Sequence, residues 1–277
     1  MKVEALYRYP VKSLQGEAVT SAEVAERGFV DDRRWMLVDN YGRFISQREY
    51  HHLARFAART DKGEGLLLYA LHAPDASFSI PAARPAGDPG FQVTVWDDTF
   101  LACEVPAPGL GAFVGIPGAR LVYMNDAVTR PVDERYAERD ETVSFADGYP
   151  YLVTTTASLR MLSDRTDQDV DVLRFRPNIV VATDDPFEED AWQSIAVGAQ
   201  EFYLPKPCAR CIMVTLAPGS GEKDLAVLSE LARFRRHRNK TLFGMNAIAR
   251  QPGRRIAVGD DVTVLLRRNA EAVLQSQ

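Results

Sequence analysis

Cysteine and histidine are both scarce in this chain of 277 residues. There are three cysteines, Cys103, Cys208 and Cys211, and four histidines. An odd and sparse set of cysteines argues against a disulfide framework. No two histidines have the i, i+4 spacing that would aim two rings at one metal ion. The sequence therefore excludes the disulfide-rich class of proteins and the metal sites that are built on such histidine pairs.

Long apolar runs and an excess of basic charge are also lacking. No segment approaches the roughly 20 consecutive apolar residues that a membrane-spanning helix needs. The first residues, MKVEALY, contain an early acid and lack the apolar run of a signal peptide. With a net charge of −5, the chain has no broad electrostatic attraction to nucleic acid or anionic lipid. We therefore expect a cytoplasmic protein with no nucleic-acid or membrane partner, in which a local cluster of basic residues holds any anionic ligand.

The length is enough for about two domains at roughly 100–200 residues each. Pro106–Gly118 is rich in proline and glycine, and we place a domain boundary there, between residues 1–118 and 119–277. Helices are predicted at Glu49–Ala58, Thr155–Ser163 and Leu225–His237. Strands are predicted through most of the remaining chain, at Lys2–Arg8, Arg34–Asp39, Leu66–Leu71, Phe91–Val95, Phe100–Val105, Leu121–Met124, Asn178–Ala182, Gln200–Leu204, Cys211–Leu216 and Asp261–Leu266.

The segment Lys206–Cys211 carries the most chemical information. Lys206 and Arg210 flank the two cysteines of a C-x-x-C pattern, and neighbouring cations stabilise the thiolate form of a cysteine. Taken alone, the pattern has three interpretations: a dithiol redox pair, half of a zinc site, or two structural cysteines. No second C-x-x-C or H-x-x-H completes a zinc site. A redox pair would normally open a helix, whereas the residues after Cys211 favour a strand.

Six short motifs occur in order along the chain: Tyr9–Leu14 (YPVKSL), Asp32–Trp35 (DRRW), Phe145–Pro150 (FADGYP), Arg174–Asn178 (RFRPN), Pro207–Cys211 (PCARC) and Leu242–Gly244 (LFG). Each is weak alone, but together they resemble the MOSC family, named after the C-terminal domain of molybdenum cofactor sulfurases. The resemblance is to members with a preceding MOSC N-terminal β-barrel domain, and it spans nearly the whole chain. It implies an α+β, β-dominated fold: a MOSC N-terminal β-barrel-like domain at 1–118, then a MOSC β-barrel domain with a few helices at 119–277.

The resemblance also implies a cofactor and the residues that hold it. Family members bind molybdenum cofactor (Mo-molybdopterin), and the second cysteine of the C-x-x-C-like pair is the metal ligand. That position is Cys211, which is therefore the expected molybdenum ligand and catalytic residue, with Cys208 in a packing or supporting role. The pterin carries a phosphate, which cationic side chains, hydroxyls and backbone N–H groups bind. The residues that match cofactor-binding positions are Lys12, Ser13, Arg33, Thr154, Thr155, Thr156, Arg176, Asn178 and Arg210. For the three threonines, simple capping of the following helix is the alternative.

The function that the resemblance implies is reduction of small N-hydroxylated compounds at the N–O bond. The alternatives are a non-catalytic cofactor carrier, a sulfur-transfer binding module, and a thiol redox protein without metal. No cysteine follows Cys211, so we expect no iron–sulfur cluster beyond that point. No G-x-G-x-x-G pattern follows a strand, which argues against a built-in nicotinamide or flavin site. We therefore expect a separate electron donor, namely a ferredoxin, a flavoprotein or a haem protein.

Overall fold

The computed structural model describes residues 1–60 and 65–270. Strands make up 42% of the chain and helices 15%, which confirms the predicted β-dominated α+β class. The strands that precede residue 125 are β1 (Lys2–Arg8), β2 (Val11–Lys12), β3 (Glu17–Val19), β4 (Ser21–Ala25), β5 (Gly28–Phe29), β6 (Trp35–Val38), β7 (Phe56–Thr60), β8 (Leu66–Ala70), β9 (Ala73–Ile80), β10 (Phe91–Val95), β11 (Asp98–Val105) and β12 (Arg120–Tyr123). The later strands are β13 (Tyr151–Thr155), β14 (Ile179–Ala182), β15 (Trp192–Val197), β16 (Gln200–Tyr203), β17 (Pro207–Arg210), β18 (Arg236–His237), β19 (Lys240–Arg250), β20 (Arg255–Ala257) and β21 (Val262–Arg267).

The helices are short. They are α1 (Leu110–Phe113), α2 (Thr156–Thr166) and α3 (Ala226–Phe234), with 3₁₀ turns at His51–Arg55, Val172–Arg174, Glu188–Ala191 and Ile212–Thr215. Helices α2 and α3 contact each other and share an apolar core that includes Leu162, Leu231 and Phe243. Within the described parts of the chain, no helix is long and apolar enough to cross a membrane.

The largest sheet has ten strands, and β13 lies near its centre. Its main order is β21-β15-β16-β19-β13-β14-β1-β3, with β17 and β18 also paired to β19. Strand β13 runs parallel to β14 and antiparallel to β19, and all five of its residues are buried. Such a strand, covered on both faces, has an almost continuous apolar run instead of alternation.

Strand pairing crosses the domain boundary that we predicted at residue 118. From the first part of the chain, β1 joins the ten-stranded sheet, with Leu6 opposite Ile179, and β4 pairs with β20. From the second part, β12 pairs with β11 and β6 in a five-stranded sheet of order β10-β11-β12-β6-β2. The two parts therefore exchange strands, and the remaining strands β7, β8 and β9 form a small sheet of their own. The division at residue 118 stays a prediction. The last seven residues of the predicted second domain, 271–277, lie outside the described part of the chain.

Several predicted elements are confirmed, and three need correction. Glu49–Ala58 is not a helix: it contains the 3₁₀ turn His51–Arg55 and then enters β7, which pairs with β8. The apolar residues of this segment have helical spacing, but the cross-strand pairing overrides that local pattern.

The second and third corrections lie near the cysteines. Cys211–Leu216 is not a strand; the strand is β17, before it, and a 3₁₀ turn follows Cys211. A short apolar run does not by itself distinguish the two structures. The predicted helix Leu225–His237 ends at Phe234, and its last two residues instead form β18 against β19.

Gly42 makes the turn after β6 a sensitive point of the fold. Its φ is 77°, and a Cβ there would collide with the backbone carbonyl oxygen of Gln92. Gly42→Ala should lower the free energy of unfolding by at least the roughly 1–3 kcal/mol that a strained backbone costs, as measured by urea denaturation. Gly90→Ala is the matched control, because no atom of the described residues lies within 4 Å of the Cβ it would add. Equal stability of the two variants would contradict the proposed clash.

Candidate functional site

One cleft collects most of the residues that the sequence predicts to be functional. Seven of them line it: Lys12, Ser13, Arg33, Arg176, Asn178, Arg210 and Cys211. The first three come from segments near the start of the chain, and the other four come from the segments around β14 and β17. The cleft therefore lies where the early part of the chain meets the ten-stranded sheet.

Positive charge dominates the cleft lining. Its cationic side chains are Lys12, Arg33, Arg48, Arg176 and Arg210, and its one carboxylate is Asp147. This concentration occurs in a chain whose net charge is −5. The cleft is consequently suited to an anionic ligand, as expected from the sequence.

Three residues of the cleft have a left-handed backbone, which non-glycine residues seldom adopt. They are Ser13 with φ 71°, Arg33 with φ 51° and Arg176 with φ 55°. Each such residue costs of order 1–3 kcal/mol and persists where the surrounding structure holds it in place. Their concentration in one cleft is typical of a functional site.

Arg33 and Arg176 are held against the buried ring of Tyr9. Their guanidinium carbons lie 4.3 and 4.4 Å from the ring centroid. Arg33 forms an ion pair with the fully buried carboxylate of Asp32 and donates to the Arg176 carbonyl oxygen at 3.1 Å. Burial, followed by the nearby Arg33 charge, lowers the pKa of Arg176 to about 10. Arg176 thus stays a cation at neutral pH, although two guanidinium groups lie side by side.

Asn178 fixes the position of Arg33. Its Oδ1 accepts hydrogen bonds from Arg33 Nη1 at 3.1 Å and from the Leu152 N–H at 3.2 Å. Its Nδ2 donates to the Tyr7 carbonyl oxygen at 3.2 Å. The amide therefore contributes to the cleft by orienting its neighbours; a bond to the pterin or the metal stays a prediction.

Lys12 is buried at the base of the cleft beside Asp147. Its ammonium group donates to the Phe145 carbonyl oxygen at 2.8 Å and to Asp147 Oδ1 at 2.5 Å. Burial lowers the pKa of Lys12 to about 8, although Asp147 opposes that shift. Burial alone would raise the pKa of Asp147, but Lys12 and Arg48 lower it below its usual range. Both groups are accordingly charged at neutral pH.

The two cysteines of the C-x-x-C pattern have different surroundings. Arg210 Nη1 donates to Cys208 Sγ at 3.0 Å, and Arg210 Nη2 donates to the Phe175 carbonyl oxygen at 2.8 Å. Cys211 is exposed, and its sulfur accepts a hydrogen bond from Arg48 Nη2 at 3.2 Å. Lys206, expected to flank the sulfurs, instead has its ammonium group 4.1 Å from the ring centroid of Tyr136. Cys211 is thus the more accessible of the two thiols. The cation beside it is Arg48, which is 163 positions away in the sequence.

The donor groups of the cleft fit a phosphate-bearing cofactor with a thiolate-bound metal. Arg210 Nε is buried and has no hydrogen-bond partner within the described residues, which leaves a donor for a ligand. In residues 1–60 and 65–270, no three His, Cys, Asp or Glu side chains form a metal-binding group.

The three predicted threonines lie outside the cleft lining. Thr155 is the N-cap of α2, accepting a hydrogen bond from the Ser158 N–H. Its hydroxyl and that of Ser158 also donate to the buried carboxylate of Glu189, at 2.9 and 2.8 Å. Thr156 donates to the Thr183 carbonyl oxygen at 3.3 Å, and Thr154 is fully buried. The capping alternative is thereby confirmed for Thr155, and contact of these residues with a cofactor stays a prediction.

Some cleft residues were not identified from the sequence. They are Ser46, Arg48, Ala146, Asp147, Tyr149, Tyr151, Leu152, Phe175, Ala209, Met213 and Asn246, whereas Cys208 was expected beside the predicted ligand. Asp147 lies within the FADGYP motif, so its position was a usable signal. Arg48 belongs to no motif, and only the folded chain brings it to Cys211.

Comparison with known proteins gives two matching families. Residues 1–106 match the MOSC N-terminal beta barrel domain, and residues 140–263 match the MOSC domain. Mitochondrial amidoxime-reducing component 1 from Mus musculus and from Homo sapiens are each 28% identical over 95% of this chain and 82% of the relative. A molybdenum cofactor sulfurase from Oryza sativa subsp. japonica is 26% identical over 88% of this chain and 32% of that protein. The two domains follow each other in the order that the motifs predict.

Arg176 offers a test of the anionic ligand. Arg176→Ala should weaken binding of the phosphate-bearing pterin about tenfold or more, because a charge-assisted hydrogen bond contributes roughly 1.5–3 kcal/mol. The measurement is pterin per chain after purification. Arg43→Ala is the matched control: it removes one positive charge at an exposed residue outside the cleft lining and should leave the pterin content full. Full pterin content in Arg176→Ala would contradict this assignment.

Proposed function

Because the chain is a MOSC protein with a MOSC N-terminal beta barrel domain before its MOSC domain, we propose that it is a molybdenum-cofactor-dependent reductase of N-hydroxylated compounds. The observation that carries this proposal is the exposed Cys211 sulfur at the wall of a cleft lined by five cations. The names of the amidoxime-reducing relatives support the substrate class. Cleavage of the N–O bond consumes two electrons and two protons and releases the amine or amidine and water.

Different side chains of the cleft would bind different parts of the cofactor. Cys211 would be the thiolate ligand of the metal, since thiolates are the soft ligands that proteins offer. Lys12, Ser13, Arg33 and Arg176 would hold the phosphate of the pterin through charge and hydrogen bonds. Arg210 would donate its unpaired Nε–H to the cofactor, while its Nη atoms hold Cys208 and the Phe175 carbonyl. When bound, the molybdenum cofactor supplies the two-electron redox chemistry.

The protein's part in turnover is orientation and charge. Ser13, Arg33 and Arg176 have a left-handed backbone that the surrounding structure holds in place, so their side chains have fixed starting points in the cleft. The cations that bind the cofactor also raise the local concentration of anionic ligands around an otherwise acidic protein. A cytoplasmic location, expected from the sequence, remains part of this proposal.

The assay that tests the function uses the purified chain and an amidoxime such as benzamidoxime. With a reduced viologen as electron source, the protein should form the amidine. With NADH or NADPH alone it should form essentially none, because we propose that a separate ferredoxin, flavoprotein or haem protein supplies the electrons. Full molybdenum and pterin content without any reduction would instead indicate a cofactor carrier. Robust NADPH-driven turnover by the single chain would refute the need for a donor.

The two cysteines provide a matched pair of variants. Cys211→Ser should abolish reduction, because a neutral hydroxyl is a poor replacement for a thiolate ligand. Cys208→Ser should keep much of the activity, since the Cys208 sulfur accepts a hydrogen bond from Arg210 and Cys208 is less exposed than Cys211. Rates of amidoxime reduction and molybdenum per chain are measured for both. An active Cys211→Ser beside an inactive Cys208→Ser would show that the ligand assignment is wrong.

A further inference from the structure

We propose that Arg48 is a positioning residue, which sets the orientation and the electron density of the Cys211 sulfur. Arg48 Nη2 lies 3.2 Å from Cys211 Sγ, although 163 positions separate the two residues. Its side chain is 22% exposed, so this contact lies at the half-buried edge of the cleft. The inference rests on the proposed function, because it takes Cys211 as the metal ligand.

The Cys211 side chain has little else to fix it. Cys211 follows the last residue of β17 and is the N-cap of the 3₁₀ turn Ile212–Thr215, yet its side chain makes no capping hydrogen bond. Arg48 is its hydrogen-bond partner in the described part of the chain. Without that partner, an exposed cysteine samples its staggered rotamers, and its sulfur would not be held toward the cleft.

The guanidinium group of Arg48 has two further contacts besides the sulfur. Its Nη2, which donates to the sulfur, also lies 3.7 Å from Asp147 Oδ2. The guanidinium carbon lies over the ring of Trp96, 4.3 Å from the ring centroid. A planar group that stacks and donates at once is what arginine provides and lysine does not.

Trp96 is placed for this contact by its backbone. It lies in the turn between β10 and β11 with φ 56°, a conformation that a bulky residue seldom adopts. Its ring packs edge-on against Phe44 at 5.1 Å between centroids, and its Nε1 donates to Asp147 Oδ1 at 3.3 Å. Trp96 is 45% exposed, and the Arg48 guanidinium covers part of its ring. The strained turn is therefore compensated by contacts that converge on Arg48 and Asp147.

The backbone of Arg48 is tied to the proposed phosphate-binding segment. The Arg48 N–H donates to Ser46 Oγ at 3.3 Å. The neighbouring Gln47 is buried, and its Nε2 donates to the Ser13 carbonyl oxygen at 2.6 Å. The turn that carries Arg48 is therefore connected to Ser13, and Arg48 links the proposed phosphate-binding segment to the Cys211 sulfur.

A cation that donates a hydrogen bond to a ligating thiolate changes two properties of that ligand. It restricts the sulfur to one orientation, and it withdraws electron density that the sulfur would otherwise donate to a metal. Hydrogen bonds to ligand atoms are a known means by which proteins adjust metal centres. Arg48 would thereby adjust the reactivity of the centre from the first domain without contacting the substrate.

The experiment compares Arg48→Gln, Arg48→Lys and Arg43→Gln in the loaded protein. Arg43 is an exposed residue of the same segment, so its variant controls for loss of one positive charge. Three quantities are measured: molybdenum and pterin per chain, the sulfur-to-metal charge-transfer absorption, and kcat and KM separately with a reduced viologen. We expect Arg48→Gln to keep most of its cofactor, to shift the absorption band, and to lose about tenfold in kcat, as for other partners of metal ligands. KM should change little, Arg48→Lys should be intermediate, and Arg43→Gln should match the unaltered protein.

Each other outcome overturns a different statement. An unchanged band and kcat in Arg48→Gln would refute the positioning role, and a raised KM with unchanged kcat would make Arg48 a substrate contact instead. If Arg48→Gln fails to fold, Arg48→Lys decides, since equality with the unaltered protein in band and kcat would equally refute the role. If the unaltered protein holds no molybdenum, or its band survives Cys211→Ser, the proposed function or its ligand has failed, independently of Arg48.

Discussion

The buried carboxylate of Asp32 is the interaction on which the cationic cleft depends. The guanidinium groups of Arg33 and Arg176 both contact the ring of Tyr9, and their like charges repel each other there. Asp32 is fully buried, pairs with Arg33 and also accepts the Tyr9 N–H at 2.8 Å. Removing one partner of such a pair leaves an uncompensated buried charge, which costs several kcal/mol. The carboxylate thus fixes the YPVKSL segment and the DRRW segment relative to each other at the cleft.

Strand exchange between the two parts of the chain gives this cleft its rigidity. β1 is paired to β14, which directly follows the RFRPN segment, so Arg176 and Tyr9 sit at the ends of neighbouring strands. β17, which precedes Cys211, is paired to β19 in the same ten-stranded sheet. The loop that carries Arg48 belongs to the other side of the cleft and is tied to it through Ser13. A site assembled from packed strands holds its groups more closely than one built on free loops.

The sequence predicted those parts of the site that lie within short local motifs. Lys12, Ser13, Arg33, Arg176 and Cys211 were assigned by resemblance, and the structure brings them to one cleft. Arg48 was not found, because its role arises from a contact across 163 positions and no local pattern encodes it. The structure after Cys211 was predicted as a strand, because a run of apolar residues is compatible with either a strand or a helical turn. Edge strand β9 was missed although Ala76, Phe78 and Ile80 alternate with polar residues: it is mostly exposed, and its first residues, Ala-Pro-Asp, are typical of a turn.

The start of α2 shows why a helix N-terminus that suits an anion need not bind one from outside. A serine and a threonine at this end resemble a phosphate seat, since the first N–H groups of a helix attract negative charge. The protein itself supplies an anion there, because Glu189 accepts hydrogen bonds from Thr155 and Ser158. Burial, and then the neighbouring Asp190, raise the pKa of Glu189 to about 7, so this carboxyl is partly protonated near neutrality. A second anion at the same place would compete with this carboxyl for the two hydroxyl groups. Around Tyr9, the guanidinium group of Arg176 donates to the Leu14 carbonyl oxygen at 2.7 Å and lines the cleft beside four other cations. We therefore propose that the phosphate of a cofactor binds beside Arg176 and not at the start of α2.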